Sequence, residues 1–326
     1  MQVYRGFQEA KGKLGGCAVA LGSFDGVHRG HQALFSSALE RARARGAAAV
    51  AATFEPHPGK ALFPDLAPKL LTPLPRKLEL FEAAGLDAVV LQPFDKDYAA
   101  RSPEEFLAGD LFGGLAPGDV VAGPDYTFGR ARQGTVSSLR AACEQRGVGF
   151  LEQPAVTSDG GGVISSTKIR EFVAEGRVAA AALLLGRPFD LVGVVIRGLG
   201  RGRTIGFPTA NLHPENEVRP GLGVYAVRAF VGGHVWGGAA NIGRKPTFGE
   251  EEVTVEAHLF DFKGELYGKR LALEFLERLR GEQRFGSVDE LQGAIARDCS
   301  LARALVERTP APGRLSPFAR ERGLVR

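Results

Sequence analysis

The stretch GSFDGVHRGH, residues 22–31, joins two segments of different periodicity. Ahead of it, CAVALG (17–22) is a short apolar run ending in glycine, the pattern of a buried strand. Behind it, HQALFSSALERARARG places Leu34, Ala38 and Ala42 at helical spacing, with Phe35 and Leu39 beside them and Gly46 as the stop. The stretch is therefore a strand–loop–helix junction, the repeating step of an α/β fold. At such a junction the unpaired backbone N–H groups and the helix dipole favour an anion. Gly22, Gly26 and Gly30 let a phosphate approach the backbone. His28 and His31 add imidazole donors for charge developing on that phosphate. Zinc is disfavoured: two histidines are too few, and neither a His-Glu-x-x-His nor a cysteine-pair spacing occurs.

At 326 residues the chain is long enough for two domains, each with its own core. Its 44% hydrophobic and 24% charged residues are ordinary for a soluble globular protein. The 44 glycines and 19 prolines favour strands, tight turns and phosphate loops over a helical bundle. A net charge of +4 suits phosphorylated small molecules and is too small to argue for nucleic acid. Three widely separated cysteines, at 17, 143 and 299, point to a reducing cytoplasm. The opening MQVYRGFQEAKGK lacks the apolar core of a signal peptide, and no apolar run reaches membrane-span length. The expectation is a soluble, cytoplasmic protein with no nucleic-acid or membrane partner and no requirement for a homo-oligomer.

From 14 to about 153 strand-like runs (17–22, 48–54, 87–92, 119–122, 148–152) alternate with helical patterns (32–45, 74–84, 102–112, 134–146). The third helix opens SPEE, a capping box of Ser102 and Glu105 with Pro103 in the first turn. Such alternation predicts a parallel sheet with helices on both faces and ligands at the carboxyl ends of its strands. Both GSFDGVHRGH and TFEPHP (53–58) fall at that edge. The glycine spacing is not Gly-x-Gly-x-x-Gly, which argues against an ordinary dinucleotide site. After Gly186–Pro188 the pattern becomes short strands with glycine turns (191–197, 223–231, 235–242, 252–260, 270–276), including a hairpin about Gly232-Gly233. A helix opening with a second capping box, Ser287 and Glu290, follows. The prediction is a small antiparallel barrel with one helix, then a Pro- and Arg-rich tail.

Further stretches carry chemistry. ISSTKIR (164–170) sets Ser165, Ser166 and Thr167 ahead of a helix holding Lys168 and Arg170, a combination suited to a triphosphate. GPDYTFG (123–129) offers Asp125, Tyr126 and Phe128, readable as a planar-ring site or as a turn with core aromatics. RGLGRGRTIGFPTAN (197–211) interleaves Gly198, Gly200, Gly202 and Gly206 with Arg197, Arg201 and Arg203, a cationic loop unlike a P-loop. Thr209 and Asn211 follow, two neutral oxygens on one side of an extended segment, as magnesium on nucleotide phosphates requires. In VTVEAHL (253–259), Val253, Val255, Ala257 and Leu259 share one face and Thr254, Glu256 and His258 the other. Glu256 and Glu274 are equal candidates for a base on this pattern alone.

Eight motifs in series, GSFDGVHRGH, TFEPHP, GPDYTFG, ISSTKIR, GRGRTIGFPTAN, GVYAV, NIGRKPTF and VEAHLFDFKGELYG, resemble the bacterial bifunctional riboflavin kinase/FAD synthetase family from about residue 14 to about 307. The resemblance implies a nucleotidyltransferase-like (Rossmann-like) α/β domain over 1–186 that adenylylates FMN. It further implies a split β-barrel over 187–308 that phosphorylates riboflavin, leaving 309–326 as a flexible basic tail. Riboflavin, FMN, FAD, ATP, ADP and pyrophosphate are then the small-molecule partners, with Mg2+ accompanying ATP. The resemblance assigns His28, His31 and Arg170 to catalysis on the adenylyl side and Glu256, over Glu274, as the base of the kinase. Nucleotide contacts are expected from Gly22, Phe24, Asp25, Gly26, Gly30, Ser165, Ser166, Thr167, Lys168, Gly198, Gly200, Gly202, Arg203 and Thr204. Flavin contacts are expected from Asp125, Tyr126 and Phe128, and metal ligation from Thr209 and Asn211. Two other readings compete: a nucleotidyltransferase for another phosphorylated acceptor with an inert barrel, and a basic β-barrel that binds RNA. An inert barrel has no need of the Pro-Thr-Ala-Asn stretch or of Glu256. An RNA-binding barrel needs aromatics interleaved with cations on a strand face, and here the arginines crowd into a loop.

Overall fold

The computed structural model describes residues 1–198, 201–246, 251–310 and 312–313. Two compact units are present: Met1–Lys69 with Lys77–Ile164, and Leu70–Arg76 with Ser165–Arg326. The change of texture at Gly186–Pro188 marks a break between a helix and a strand, whereas the packing boundary lies earlier, at Ser165.

The first unit is built on a parallel sheet of β1 (Gln2–Tyr4), β2 (Ala18–Leu21), β3 (Ala49–Glu55), β4 (Ala88–Pro93), β5 (Asp119–Ala122) and β6 (Gly149–Glu152). Its order is β1-β4-β3-β2-β5-β6. The five strands expected from the alternation are all present. The sixth, β1, is a three-residue edge strand too short to show a period. Helix α1 (Arg29–Arg45) follows β2 and ends at Gly46 in the left-handed conformation, as its sequence predicts. Helices α2 (Leu74–Ala84) and α3 (Val136–Gln145) follow. One expectation is corrected. Over 102–112 only Pro103–Glu105, with the Ser102–Glu105 capping box, is α-helical; Phe106–Leu115 is a π-helix. Gly113 permits the wider turn, because a Cβ there would lie 2.4 Å from the carbonyl oxygen of Ala108, five residues back.

The second unit contains α4 (Ser166–Ala174), α5 (Val178–Leu185) and a closed antiparallel barrel. The barrel strands are β7 (Phe189–Ile196), β8 (Ala210–Pro214), β9 (Gly223–Val231), β10 (His234–Pro246), β11 (Glu251–Leu259) and β12 (Arg270–Arg280), in the order β8-β11-β10-β9-β12-β7. Strand β8 occupies the segment read from sequence as a metal-binding stretch. It went unseen as a strand because it is only five residues long, begins two residues after Pro208 and ends on Pro214, although its buried positions alternate. Helix α6 (Val288–Arg308) follows. Ser287 accepts from the Glu290 amide, but the reciprocal bond of the expected capping box is displaced: Glu290 accepts from Gly286 N at 2.8 Å. Most of the predicted tail, residues 311 and 314–326, lies outside the described residues.

A ladder of charges is buried on the barrel wall. Across three strands Arg228, Glu274 and Asp190 stand opposite one another. Arg76, 1% exposed at its side chain, closes on Asp190 through Nε at 3.0 Å and Nη2 at 2.7 Å. Asn216 ties the same segment down by donating to the Leu71 carbonyl at 2.9 Å. Burial pushes the Arg187 guanidinium down to about 10, while neighbouring Asp190 holds it up, so it remains a cation at neutral pH. Removing one partner of a buried pair leaves an uncompensated charge. Arg76→Ala is therefore expected to destabilise the protein by about 3 kcal/mol, read as a lower urea midpoint. Arg76→Met with Asp190→Leu should recover only part of the loss, since no carboxylate is stranded but the buried Arg187 loses the counter-charge of Asp190.

Candidate active sites

In the first unit the residues after β2 form a tight turn. Phe24 and Val27 have positive φ (53° and 44°) and Gly26 has φ 85°, a left-handed run that glycine eases at its centre. Phe24 is fully buried and holds the turn against Phe35 and Phe81, with ring centroids 4.8 and 5.7 Å away. The Ser23 carbonyl is fixed by two donors, Thr53 Oγ1 at 3.2 Å and Lys77 Nζ at 3.3 Å. Burial pulls the Lys77 ammonium below its usual range, with Asp25 and Glu55 opposing that shift. Lys77, 2% exposed, is a part of this site that sequence reading missed. It lies on α2 in a run of ordinary helix composition, and only the fold brings it under the turn.

His28 is the N-cap of α1, and its Nδ1 accepts from the His31 amide at a long 3.4 Å. In the neutral ring that assigns the proton to Nε2 and makes it a donor. The His31 ring lies on the His28 ring, centroids 3.6 Å apart and 19° from parallel. The two histidines are thus brought together at a helix start, with Gly22, Asp25, Gly26 and Gly30 in the same turn. His57, from the second quoted motif, caps its own short helix by accepting from Gly59 N at 3.1 Å. In GPDYTFG, Asp125 is exposed, and Tyr126 and Phe128 stack with centroids 5.9 Å apart. Phe128 is 6% exposed within the hydrophobic core, so it serves packing whatever else it does. Burial raises the Tyr126 phenol.

Ser165 caps α4 by accepting from Lys168 N at 3.3 Å; Ser166, Thr167, Lys168 and Arg170 lie on that helix, in the second unit. Lys168 pairs with Glu171 at 2.8 Å on the helix surface.

On the barrel, Glu256 of β11 stands opposite Asn211 of β8. Thr209 Oγ1 donates to Glu256 Oε2 at 3.4 Å. Gly198 is required here by close approach: a Cβ on it would lie 2.2 Å from Asn211 Nδ2. Gly202 and Thr204 lie in the short helical turn Arg201–Thr204 with the backbone of Arg203, and Phe207 N closes the loop onto the Gly202 carbonyl at 2.8 Å. Gly200 lies outside the described residues. Glu256 is partly exposed, with Val255 and Ala257 buried on the opposite face. Glu274 is fully buried beside Arg228, 3.5 Å from its Nε. The structure therefore separates two glutamates that the sequence pattern left equal: one faces a site of neutral oxygens, the other a structural ion pair.

A glycine turn at a helix start on a parallel α/β sheet, joined in one chain to a barrel carrying a carboxylate among neutral oxygens, is the organisation of a two-site phosphate-transferring enzyme. Two family models match in series, one described as FAD synthetase over residues 10–168 and one as riboflavin kinase over 185–306. The "Bifunctional riboflavin kinase/FMN adenylyltransferase" of Bacillus subtilis is 39% identical over 285 residues, covering 86% of this chain and 89% of that protein. Its counterpart in Escherichia coli K12 is 39% identical over 289 residues, covering 88% and 92%. A crystal structure described as "Macrolide-efflux Protein from Streptococcus pneumoniae" superposes with a TM-score of 0.84 at 32% identity, covering 92% of this chain and 98% of that one. Among the described residues, no helix is long and apolar enough to cross a membrane. The chain belongs to the bifunctional riboflavin kinase/FMN adenylyltransferase family.

Proposed function

We propose that this chain phosphorylates riboflavin to FMN in its barrel and adenylylates FMN to FAD in its α/β unit, with the activities divided between residues 187–308 and 1–186. The observation that carries the reading is the convergence of Thr209, Asn211 and Glu256 on one barrel edge. Glu256 takes the proton from the terminal ribityl hydroxyl as that oxygen attacks the γ-phosphorus of ATP and ADP departs. The donor set there, a hydroxyl, a carboxamide and a carboxylate, consists of the hard oxygens that suit magnesium. Thr209 and Asn211 would hold that ion, which when bound with ATP neutralises phosphate charge. Gly198, Gly202 and Thr204 serve the phosphates.

In the α/β unit the FMN phosphate is already an anion, so its attack on the α-phosphorus needs no base. His28 and His31, with the amides at the start of α1, stabilise the crowded phosphate while pyrophosphate leaves. Ser165, Ser166, Thr167, Lys168 and Arg170 serve the triphosphate, and the Asp125–Phe128 segment serves the flavin. The three cysteines are free, and burial pushes the Cys17 thiol up to about 12 and the Cys143 thiol up to about 11, in keeping with inert thiols in a reducing cytoplasm.

Time-resolved chromatography tests the reading. Riboflavin with Mg-ATP should yield FMN and then FAD; FMN with Mg-ATP should yield FAD and pyrophosphate without ADP. A chain that adenylylates FMN yet never phosphorylates riboflavin would return the barrel to a non-catalytic role.

A further inference from the structure

Strand β10 carries one residue that the mechanism above leaves unused. Asn241 stands directly opposite Glu256, on the side away from Asn211. Opposed residues in a ladder project to the same face, so Asn211, Glu256 and Asn241 form one row across three strands. The row is asymmetric. On the β8 side, Thr209 reaches Glu256 and Asn211 is packed over Gly198. On the β10 side Asn241 is exposed, and among the described residues its carboxamide has no hydrogen-bond partner. A Cβ added at Gly243 would lie 2.9 Å from Asn241 Nδ2, so the amide lies along its own strand over Gly243, on the face that carries Glu256 one strand away.

A carboxamide both donates and accepts, as a secondary hydroxyl does. The Asn241 backbone is one strand spacing, about 4.8 Å, from that of Glu256, so a polyol chain lying across the two strands can meet both side chains. We propose that Asn241 binds the hydroxyl-bearing side chain of the flavin and thereby sets the terminal hydroxyl against Glu256. The inference rests on the reading of the barrel as the kinase site and adds to it a residue that selects for the polyol.

The test uses the full chain. Asn241→Ala should raise the riboflavin KM about tenfold, the loss of one substrate hydrogen bond. It should leave the ATP KM, the melting temperature and adenylylation of supplied FMN unchanged. Lumiflavin, the same ring with a methyl group in place of the polyol, should inhibit both proteins equally. Gly243→Ala, which pushes the amide aside without removing it, should raise the riboflavin KM in the same direction, and this variant decides the matter if Asn241→Ala unfolds. An unchanged riboflavin KM in a folded variant overturns the proposal, as does lumiflavin inhibition that weakens in step with riboflavin. Glu256→Gln run in parallel keeps the two readings apart. If that variant stays active while Asn241→Ala still raises the riboflavin KM, the base assignment falls and the polyol contact stands.

Discussion

Glu256→Gln should lower riboflavin phosphorylation by ~10²–10⁴, because an amide cannot accept the ribityl proton. The change removes a charge and almost no volume, and the face it touches is partly exposed, so folding should persist. FMN supplied directly should still be adenylylated, since on the proposed mechanism that reaction does not use Glu256 and needs no base. The variant should therefore make FAD from FMN and almost none from riboflavin. Glu274→Gln has a different signature. It breaks the pairing with Arg228 inside the barrel wall, so its first effect should be on the melting temperature. Near-normal phosphorylation by Glu256→Gln, with loss in a folded Glu274→Gln, would reverse the choice between the two.

His28→Ala acts in the other half. Losing a preorganised donor to a reacting phosphate costs ~3 kcal/mol, on the order of a hundredfold in FAD formation, with riboflavin phosphorylation unchanged. Because His28 also caps α1, alanine additionally removes a helix cap, worth about 1 kcal/mol of stability. His28→Asn separates the roles: asparagine restores a cap acceptor without an imidazole. It should recover the melting temperature and leave FAD formation low. Equal loss of both activities in the folded asparagine variant would argue against two independent sites.

Much of this was legible in the sequence because the decisive signals are local. A strand run, a glycine turn and a helical repeat within thirty residues gave the α/β unit and placed His28 and His31 at a helix start. The alternation in 253–259 put Glu256 opposite the buried Val255 and Ala257 face. What stayed hidden depends on contacts between distant segments. Lys77 meets the turn at Ser23 across 54 residues of sequence. Asn241 acquires meaning only once β10 and β11 lock in register. The pattern also could not choose between Glu256 and Glu274. Both sit in alternating strands, and what separates them is a cross-strand arginine donated by β9.

The segment Leu70–Arg76 bears on synthesis and on dissection of the molecule. It is made early but docks on Asp190 and Asn216, more than a hundred residues later in the chain. No single cut of the polypeptide therefore releases the barrel with all of its packing: a fragment starting at 187 leaves that strap and both preceding helices behind. During translation at roughly 5–20 residues per second, the strap waits several seconds or more for its acceptor strand to emerge. Such a long-range clasp raises the contact order of the second unit, which puts its completion among the slow steps of folding. It also makes a circularly permuted chain, with new ends opened in an exposed loop such as Gly160–Gly162, a better dissection tool than truncation, because permutation keeps every segment of both units.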